Sequence, residues 1–229
     1  ELEFGGHDWR GYNEAMLVYV LALGSPTHAL PASAWKDWTS TYDRSWGQYY
    51  GQEYLTFPPL FGHQYSQVWL DLRGVQDDYM RRRGIDYFEN SRRATLSQRA
   101  YAIANPMHWK GYGPDIWGLS ASDGPVDATI DYQGEPRLFR TYTARGVGLT
   151  EVIDDGTIVP TAAGGSVPFA PVAGVVAGVA DPATDPVTGA EAEPPGADGP
   201  GAAAGPPDGT ARGILAMMCS PLTRSPRAS

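Results

Sequence analysis

Cysteine is almost absent: Cys219 is the single one in 229 residues. That excludes an intramolecular disulfide and any cysteine-based zinc site. Histidine is scarce as well. His7, His28, His63 and His108 lie far apart, without metal-ligand spacing or an H-E-x-x-H pattern. There is no G-x-S-x-G elbow, no phosphate-binding glycine loop and no D-x-D-x-D-G calcium loop. No cofactor or metal is therefore expected. Basic residues are outnumbered, 17 Lys and Arg against 26 Asp and Glu, for a formal charge of −9. Such a surface does not suit a binder of nucleic-acid phosphates. The one basic run, Arg81 to Arg83, fits a helix end. No apolar run approaches the length of a bilayer span. No signal-like stretch is recognisable, and a start at Glu1 points to a processed or partial sequence.

What is present is unevenly spread. All seven tryptophans precede residue 118, and no aromatic residue follows Phe169. We divide the chain into residues 1–171, able to build a core, and residues 172–229, rich in Ala, Gly and Pro. The second part cannot bury enough apolar surface to fold and is expected to be disordered, or to derive from out-of-frame reading of a GC-rich gene.

Within the first part, residues 11–23 (GYNEAMLVYVLAL) predict a helix closed by Gly24-Ser25-Pro26. It is apolar all round, so burial on every side is expected. Residues 32–42 predict a weaker helix carrying Trp35 and Trp38, and residues 43–64 a loop. A helix follows from a cap at Ser66 to a stop at Gly84. Its expected face is Val68, Leu72, Val75 and Tyr79, with Asp77–Arg81 and Asp78–Arg82 as i,i+4 pairs. Residues 86–104 predict another helix, ended by Asn105-Pro106, with a stripe of Leu96, Ala100 and Ile103. Beyond it the chain is turn-rich, with a short hairpin within 128–146 and a D-D-G turn at Asp154-Asp155-Gly156.

Six stretches carry a family resemblance: WRGYNEAMLVYVLALGSPTH, YYGQEY, PLFGHQYSQVW, GIDYFENSRRATLSQRAYAIANP, GYGPDIWGLSASDGP and DDGTIVPTAAGGSVPFAP. Residues 8–171 resemble the bacterial glycoamylase-like glycoside hydrolase domain, a family that includes endo-β-1,2-glucanases. The resemblance implies an all-α fold, a partial (α/α)6 toroid with long aromatic-rich loops and a sugar cleft at one end. It also implies action on an oligo- or polysaccharide, β-1,2-glucan foremost, by an inverting mechanism without a metal, in the periplasm or outside the cell; a monomer is expected. Members of the family carry further helices where this chain has its tail.

Glycoside hydrolysis needs two carboxyl groups facing one bond, one donating a proton and one activating water or attacking. Glu14 and Glu89 each stand in the first turn of a predicted helix, inside the resembling motifs. Glu89 is assigned as general acid and Glu14 as its partner, with the reverse open. The plain alternatives are a backbone-capping role for Glu14 and an ion pair with Arg92 or Arg93 for Glu89. Sugar sites add aromatic faces and hydroxyl-binding polar groups. The candidates are Tyr12, Asn13, Glu53, Tyr54, His63, Gln64, Asp115, Trp117 and Asp123, with Trp117 as an exposed stacking platform and Trp69 in the core. Two rival readings stand beside the enzyme: an inactive truncated fragment, and a glycan-binding module without turnover.

Overall fold

The computed structural model describes residues 11–148 and 151–171. The expected disorder of residues 172–229 lies outside the described residues.

Among the described residues, seven α-helices are joined by three antiparallel two-stranded sheets. Helices α1 (Met16–Leu23), α2 (Ser33–Thr39) and α3 (Tyr42–Ser45) lead into a hairpin of β1 (Trp46–Tyr49) and β2 (Gln52–Leu55). Helix α4 (Leu60–Gln64) runs into a 3₁₀ turn, Tyr65–Val68, and then come α5 (Asp78–Arg83) and α6 (Tyr87–Ala104). Strands β3 (Ala121–Asp123) and β6 (Tyr142–Ala144) pair around a nested hairpin of β4 (Ala128–Tyr132) and β5 (Glu135–Phe139). Helix α7 (Pro160–Gly164) follows.

The chain is therefore not all-α, which corrects the partial-toroid expectation. The physical reason lies in two tight turns. Tyr50-Gly51 and Gln133-Gly134 both take positive φ, at 47° and 78° and at 59° and 85°. Two consecutive left-handed residues match the twist of paired strands, so each turn closes a hairpin. The second hairpin falls within the expected 128–146 segment. The first replaces an expected loop, because Tyr50 is not a residue whose sequence signals a left-handed turn.

Three helix ends follow their sequence signals, the start and stop of α6 and the stop of α5, whereas the cap before α5 falls on Asp77 and not on Ser66. Asp77 and Asp86 cap α5 and α6, accepting from the backbone N–H of Met80 (2.8 Å) and Glu89 (2.6 Å). Gly84 at φ 71° and Asn105 at φ 42° terminate them in the left-handed conformation. The helix expected from Ser66 to Gly84, however, breaks between Val68 and Asp78. Leu72 and Tyr79 are buried, but Val68 is 71% exposed. Asp78 pairs with Arg81 at i,i+3 rather than with Arg82. Asp77 turns inward, accepting from Trp35 Nε1 at 2.9 Å and the Tyr87 hydroxyl at 2.7 Å.

Helix α1 is not buried all round either. Met16 and Val20 face the core, while Val18 and Leu21 are exposed. The core lies on one side, in a cluster of Tyr12, Met16, Trp35, Trp38, Tyr42 and Leu72.

The central element is α6, and its inward face is polar. Asn90, Ser91, Thr95, Ser97 and Gln98 are buried, whereas Ile103 of the expected stripe is exposed. Two of them, Asn90 and Gln98, satisfy backbone groups of a strand and of loops that have lost water. Asn90 accepts from Leu55 N at 2.8 Å and donates to Leu55 O at 3.1 Å. Gln98 accepts from Leu119 N at 2.9 Å and donates to Pro58 O at 2.7 Å. Helix α6 thus does with side chains what a neighbouring strand would do with its backbone. Among the described residues no helix is long and apolar enough to cross a membrane.

Candidate functional site

The segment before α1 is held by Asn13. Its Oδ1 accepts from Ala15 N at 2.8 Å and its Nδ2 donates to Gly11 O at 3.3 Å, so Asn13 is buried as the capping group of this turn. That relieves Glu14 of the capping role. The Glu14 side chain is half-buried, and its Oε2 is sealed from solvent with no hydrogen-bond partner among the described residues. Burial raises its pKa, and a hydrogen bond from its own backbone N–H opposes that in part. A carboxyl so placed holds its proton more readily than a solvated one.

Next to it in sequence, Tyr12 is fully buried and stacks on His63 (5.2 Å between ring centroids) and on Tyr87 (5.7 Å). Burial pushes the Tyr12 phenol up to about 12, the neighbouring Ser91 and Gln67 side chains offsetting part of the effect. His63 is also fully buried, between Tyr12 and Tyr54. Its Nε2–H donates to Phe57 O at 3.2 Å, leaving Nδ1 without a partner among the described residues. Burial lowers its pKa to about 3, outweighing the Phe57 carbonyl, so the ring is neutral. Tyr54 is buried, donating within reach of Ser97 Oγ and Val147 O (both 3.3 Å), and burial raises its pKa.

Glu14 is tied through its backbone to a turn that borders a groove, although neither Glu14 nor Ser66 lines it. Ser66 Oγ donates to Glu14 O at 3.3 Å and accepts from Leu17 N at 3.1 Å, tying α1 to the Tyr65–Val68 turn. That turn lines a groove of about 610 Å³ that continues over Gln64, Trp69, Phe88 and Phe169. Gln64 is clamped there, its Nε2 donating to Ala162 O at 2.7 Å and Ser166 Oγ at 2.9 Å.

The other expected site residues lie elsewhere. Glu89 is paired with Arg93 Nε at 3.0 Å and Arg92 Nη1 at 3.5 Å, and it does not line the groove. Arg93 also donates to Glu53 O at 2.9 Å, so Glu89, Arg93 and β2 form one network. The Glu53 carboxylate accepts from Trp46 Nε1 at 2.6 Å. Asp115 is exposed, and Asp123 is an exposed residue of β3. Trp117 is 1% exposed, packed with Tyr54, Leu60 and Ala163, so it offers no face to a sugar. Trp69, expected in the core, is 67% exposed at the groove. Trp117 enters the core because Gly118, at φ 116°, brings its loop against α7, with Gly118 O accepting from Val159 N at 2.9 Å.

Two features escaped the sequence reading. Arg145 is fully buried and pairs with Asp155, its Nε 2.5 Å from Oδ1 and its Nη2 2.7 Å from Oδ2. Burial acts to raise the Asp155 pKa, but hydrogen bonds from Arg145 and Thr157 prevail and lower it. Asp154 accepts from the hydroxyls of Tyr101 (2.6 Å) and Tyr112 (2.7 Å) and from Gly156 N (2.9 Å). The D-D-G segment is a turn, as expected, but also the anchor of the β3–β6 region. No local pattern marks either partner of the Arg145–Asp155 pair.

Known proteins resemble this chain over most of its described length. Residues 6–179 match the Glycoamylase family model, described as "Putative glucoamylase". An exo-β-1,2-glucooligosaccharide sophorohydrolase of Parabacteroides distasonis is 31% identical over 195 residues, covering 75% of this chain and 24% of its own length. The endo-β-1,2-glucanase of Chitinophaga pinensis, solved with sophorotriose and glucose, is 34% identical with a TM-score of 0.58, over 72% of this chain and 37% of that one. A "putative glucoamylase" of Bacteroides caccae is 37% identical with a TM-score of 0.59, over the same share of each. The chain thus spans about a quarter of the curated relative and little more than a third of these solved chains. With the family model covering residues 6–179, this chain belongs to the glycoamylase family.

Proposed function

We propose that this chain is part of a glycoside hydrolase acting on a β-linked glucan, with β-1,2-glucan as the substrate and paired carboxyl groups as the acid and base. The observation that carries the reading is Glu14: its Oε2 is sealed and unpartnered among the described residues, and its pKa is raised by burial. A general acid needs a carboxyl that stays protonated near working pH. The relatives supply the substrate class, since two of them are a β-1,2-glucooligosaccharide sophorohydrolase and an endo-β-1,2-glucanase.

The environments favour reversing the expected roles. Glu14 suits the proton donor. Glu89 has oxygens engaged by Arg92 and Arg93, and an engaged carboxylate accepts hydrogen bonds rather than donating one. Inversion requires the two groups to stand about 6.5–9.5 Å apart across the bond, with water between. Neither Glu14 nor Glu89 lines the groove, which favours as a second reading a glycan-binding module without turnover.

One assay separates the readings: reducing-sugar release from linear β-1,2-glucan by the 229-residue chain, beside Glu14→Gln and Glu89→Gln. The hydrolase reading expects release by the parent and a loss of roughly 10²–10⁴-fold in Glu14→Gln. Glucan binding without release supports the module. Release unchanged in Glu14→Gln removes Glu14 from the chemistry.

A further inference from the structure

A glutamate at the head of a helix has a ready place for its charge. The first-turn backbone N–H groups have no partner within the helix, and a side-chain oxygen just before them accepts their hydrogen bonds. Around Glu14 those donors are already engaged. Ala15 N donates to Asn13 Oδ1 at 2.8 Å, and Met16 N meets Asn13 O at 3.3 Å. Leu17 N donates to Ser66 Oγ at 3.1 Å, a hydroxyl 49 residues along the chain, and lies farther from Glu14 O, at 3.4 Å.

Both side-chain acceptors are buried, and both are fixed by a second hydrogen bond. Asn13 Nδ2 donates to Gly11 O at 3.3 Å, and Gly11 N donates to Thr41 Oγ1 at 2.9 Å, which ties this side of Glu14 to the end of α2. Ser66 Oγ donates to Glu14 O at 3.3 Å on the other side. The backbone of Glu14 is thus held from two directions while its Oε2 stays sealed and unpartnered among the described residues.

The consequence is electrostatic. An N–H given to a neutral acceptor cannot stabilise a carboxylate. Neighbouring elements supply no substitute. The Tyr65–Val68 turn carries Tyr65 as its one ionisable group and no charge. Helix α2, whose Trp35 and Trp38 pack on Tyr19 of α1, carries Lys36 and Asp37, both exposed. Tyr12, two residues before Glu14, is kept neutral by burial. Burial therefore acts on the Glu14 carboxyl with its own backbone N–H as the opposing influence.

We propose that Asn13 and Ser66 are positioning residues for Glu14: by occupying the first-turn donors they keep its carboxyl from capping the helix and hold it ready as a proton donor. The inference rests on the reading of Glu14 as general acid and names what maintains it in that state. Asn13, expected among the sugar contacts, acts here through Glu14. The plain alternative is that the two side chains only anchor α1. The readings differ in what their removal does to Glu14.

The test is an NMR titration of the side-chain carboxyl carbons of the full 229-residue chain, for the parent, Asn13→Ala, Ser66→Ala and Asn13→Asp, with a thermal melt of each. The Glu14 signal is the one absent from Glu14→Gln. In the parent it should titrate above the ordinary glutamate range. In Asn13→Ala and Ser66→Ala a backbone N–H is released to the carboxylate, and the midpoint should fall by about one pH unit. Asn13→Asp keeps the acceptor for Ala15 N and adds a negative charge, so its midpoint should stay at or above the parent's. Lower melting temperatures with an unmoved midpoint would leave only the anchor and overturn the proposal. A parent midpoint at or below the ordinary range overturns it without any variant, and so does a midpoint below the parent's in Asn13→Asp, the substitution least disruptive to folding.

Turnover is scored separately, as sugar release from β-1,2-glucan. In an active chain the alkaline limb of kcat/KM should move down with the Glu14 midpoint in the alanine variants. A midpoint that falls in the variants of a chain without hydrolysis keeps the hold on Glu14 and removes the hydrolase. Hydrolysis with a Glu14 midpoint that neither alanine substitution moves does the reverse.

Discussion

His63 makes a contribution to the acid stability of this fold that one substitution isolates. The ring is fully buried between Tyr12 and Tyr54, with its Nε2–H on the Phe57 carbonyl and no carboxylate among these contacts. Its pKa falls from 6.5 to about 3 on folding, mainly through desolvation. The native state therefore keeps a neutral ring where the unfolded chain takes up a proton. Stability from this group is fully present above pH 6.5 and is lost as pH falls toward 3. At pH 4.5, two units below the unfolded value, the loss amounts to roughly 2–3 kcal/mol. That is a large share of a typical domain's stability. Urea unfolding of the parent and of His63→Gln at pH 7.5, 6.5, 5.5 and 4.5 measures it. The substitution changes stability at every pH through altered packing, so the informative quantity is the difference in pH dependence between the two proteins. Glu14, whose pKa is raised, contributes the opposite slope, but it does so equally in both and cancels. The parent should lose roughly 2–3 kcal/mol more than His63→Gln between pH 7.5 and 4.5. Parallel curves would refute the buried neutral histidine.

Two further outcomes follow from burial alone. Trp117→Ala should cost about 3–5 kcal/mol as a fully buried ring is deleted, whereas Trp69→Ala should stay within about 0.5 kcal/mol; thermal melts giving the opposite order would refute the core assignment. Arg145→Met leaves the Asp155 carboxylate buried without its cation and frees the Ser122 and Arg140 carbonyls, a loss of roughly 3–5 kcal/mol in urea unfolding. A loss below about 1 kcal/mol would mean that the pair is solvated.

The sequence by itself determined the local punctuation. Asp86 and Asn105 bound α6, Gly84 ends α5, and the 128–146 segment makes its hairpin, because capping and left-handed turns depend on residues within a few positions of each other. It also carried the family, in motifs that stay contiguous along the chain. Missing motifs set the expectation of no cofactor, and position at the head of a predicted helix directed attention to Glu14.

The tertiary structure decided which faces are inside. Trp117 and Trp69 are the same residue type in similar apolar company, yet Gly118 draws one against α7 while the break after Val68 leaves the other at the groove. Helix α6 buries Asn90 and Gln98 because a strand and loops far along the chain bring it unpaired backbone groups, a demand no window of its own sequence contains. The first hairpin forms although Tyr50 must adopt a left-handed backbone, a local cost offset by packing β2 on α6. Arg145 and Asp155 are ordinary charges until folding removes water from both. These outcomes are set by residues from ten to several dozen positions apart, and only the assembled chain places them together.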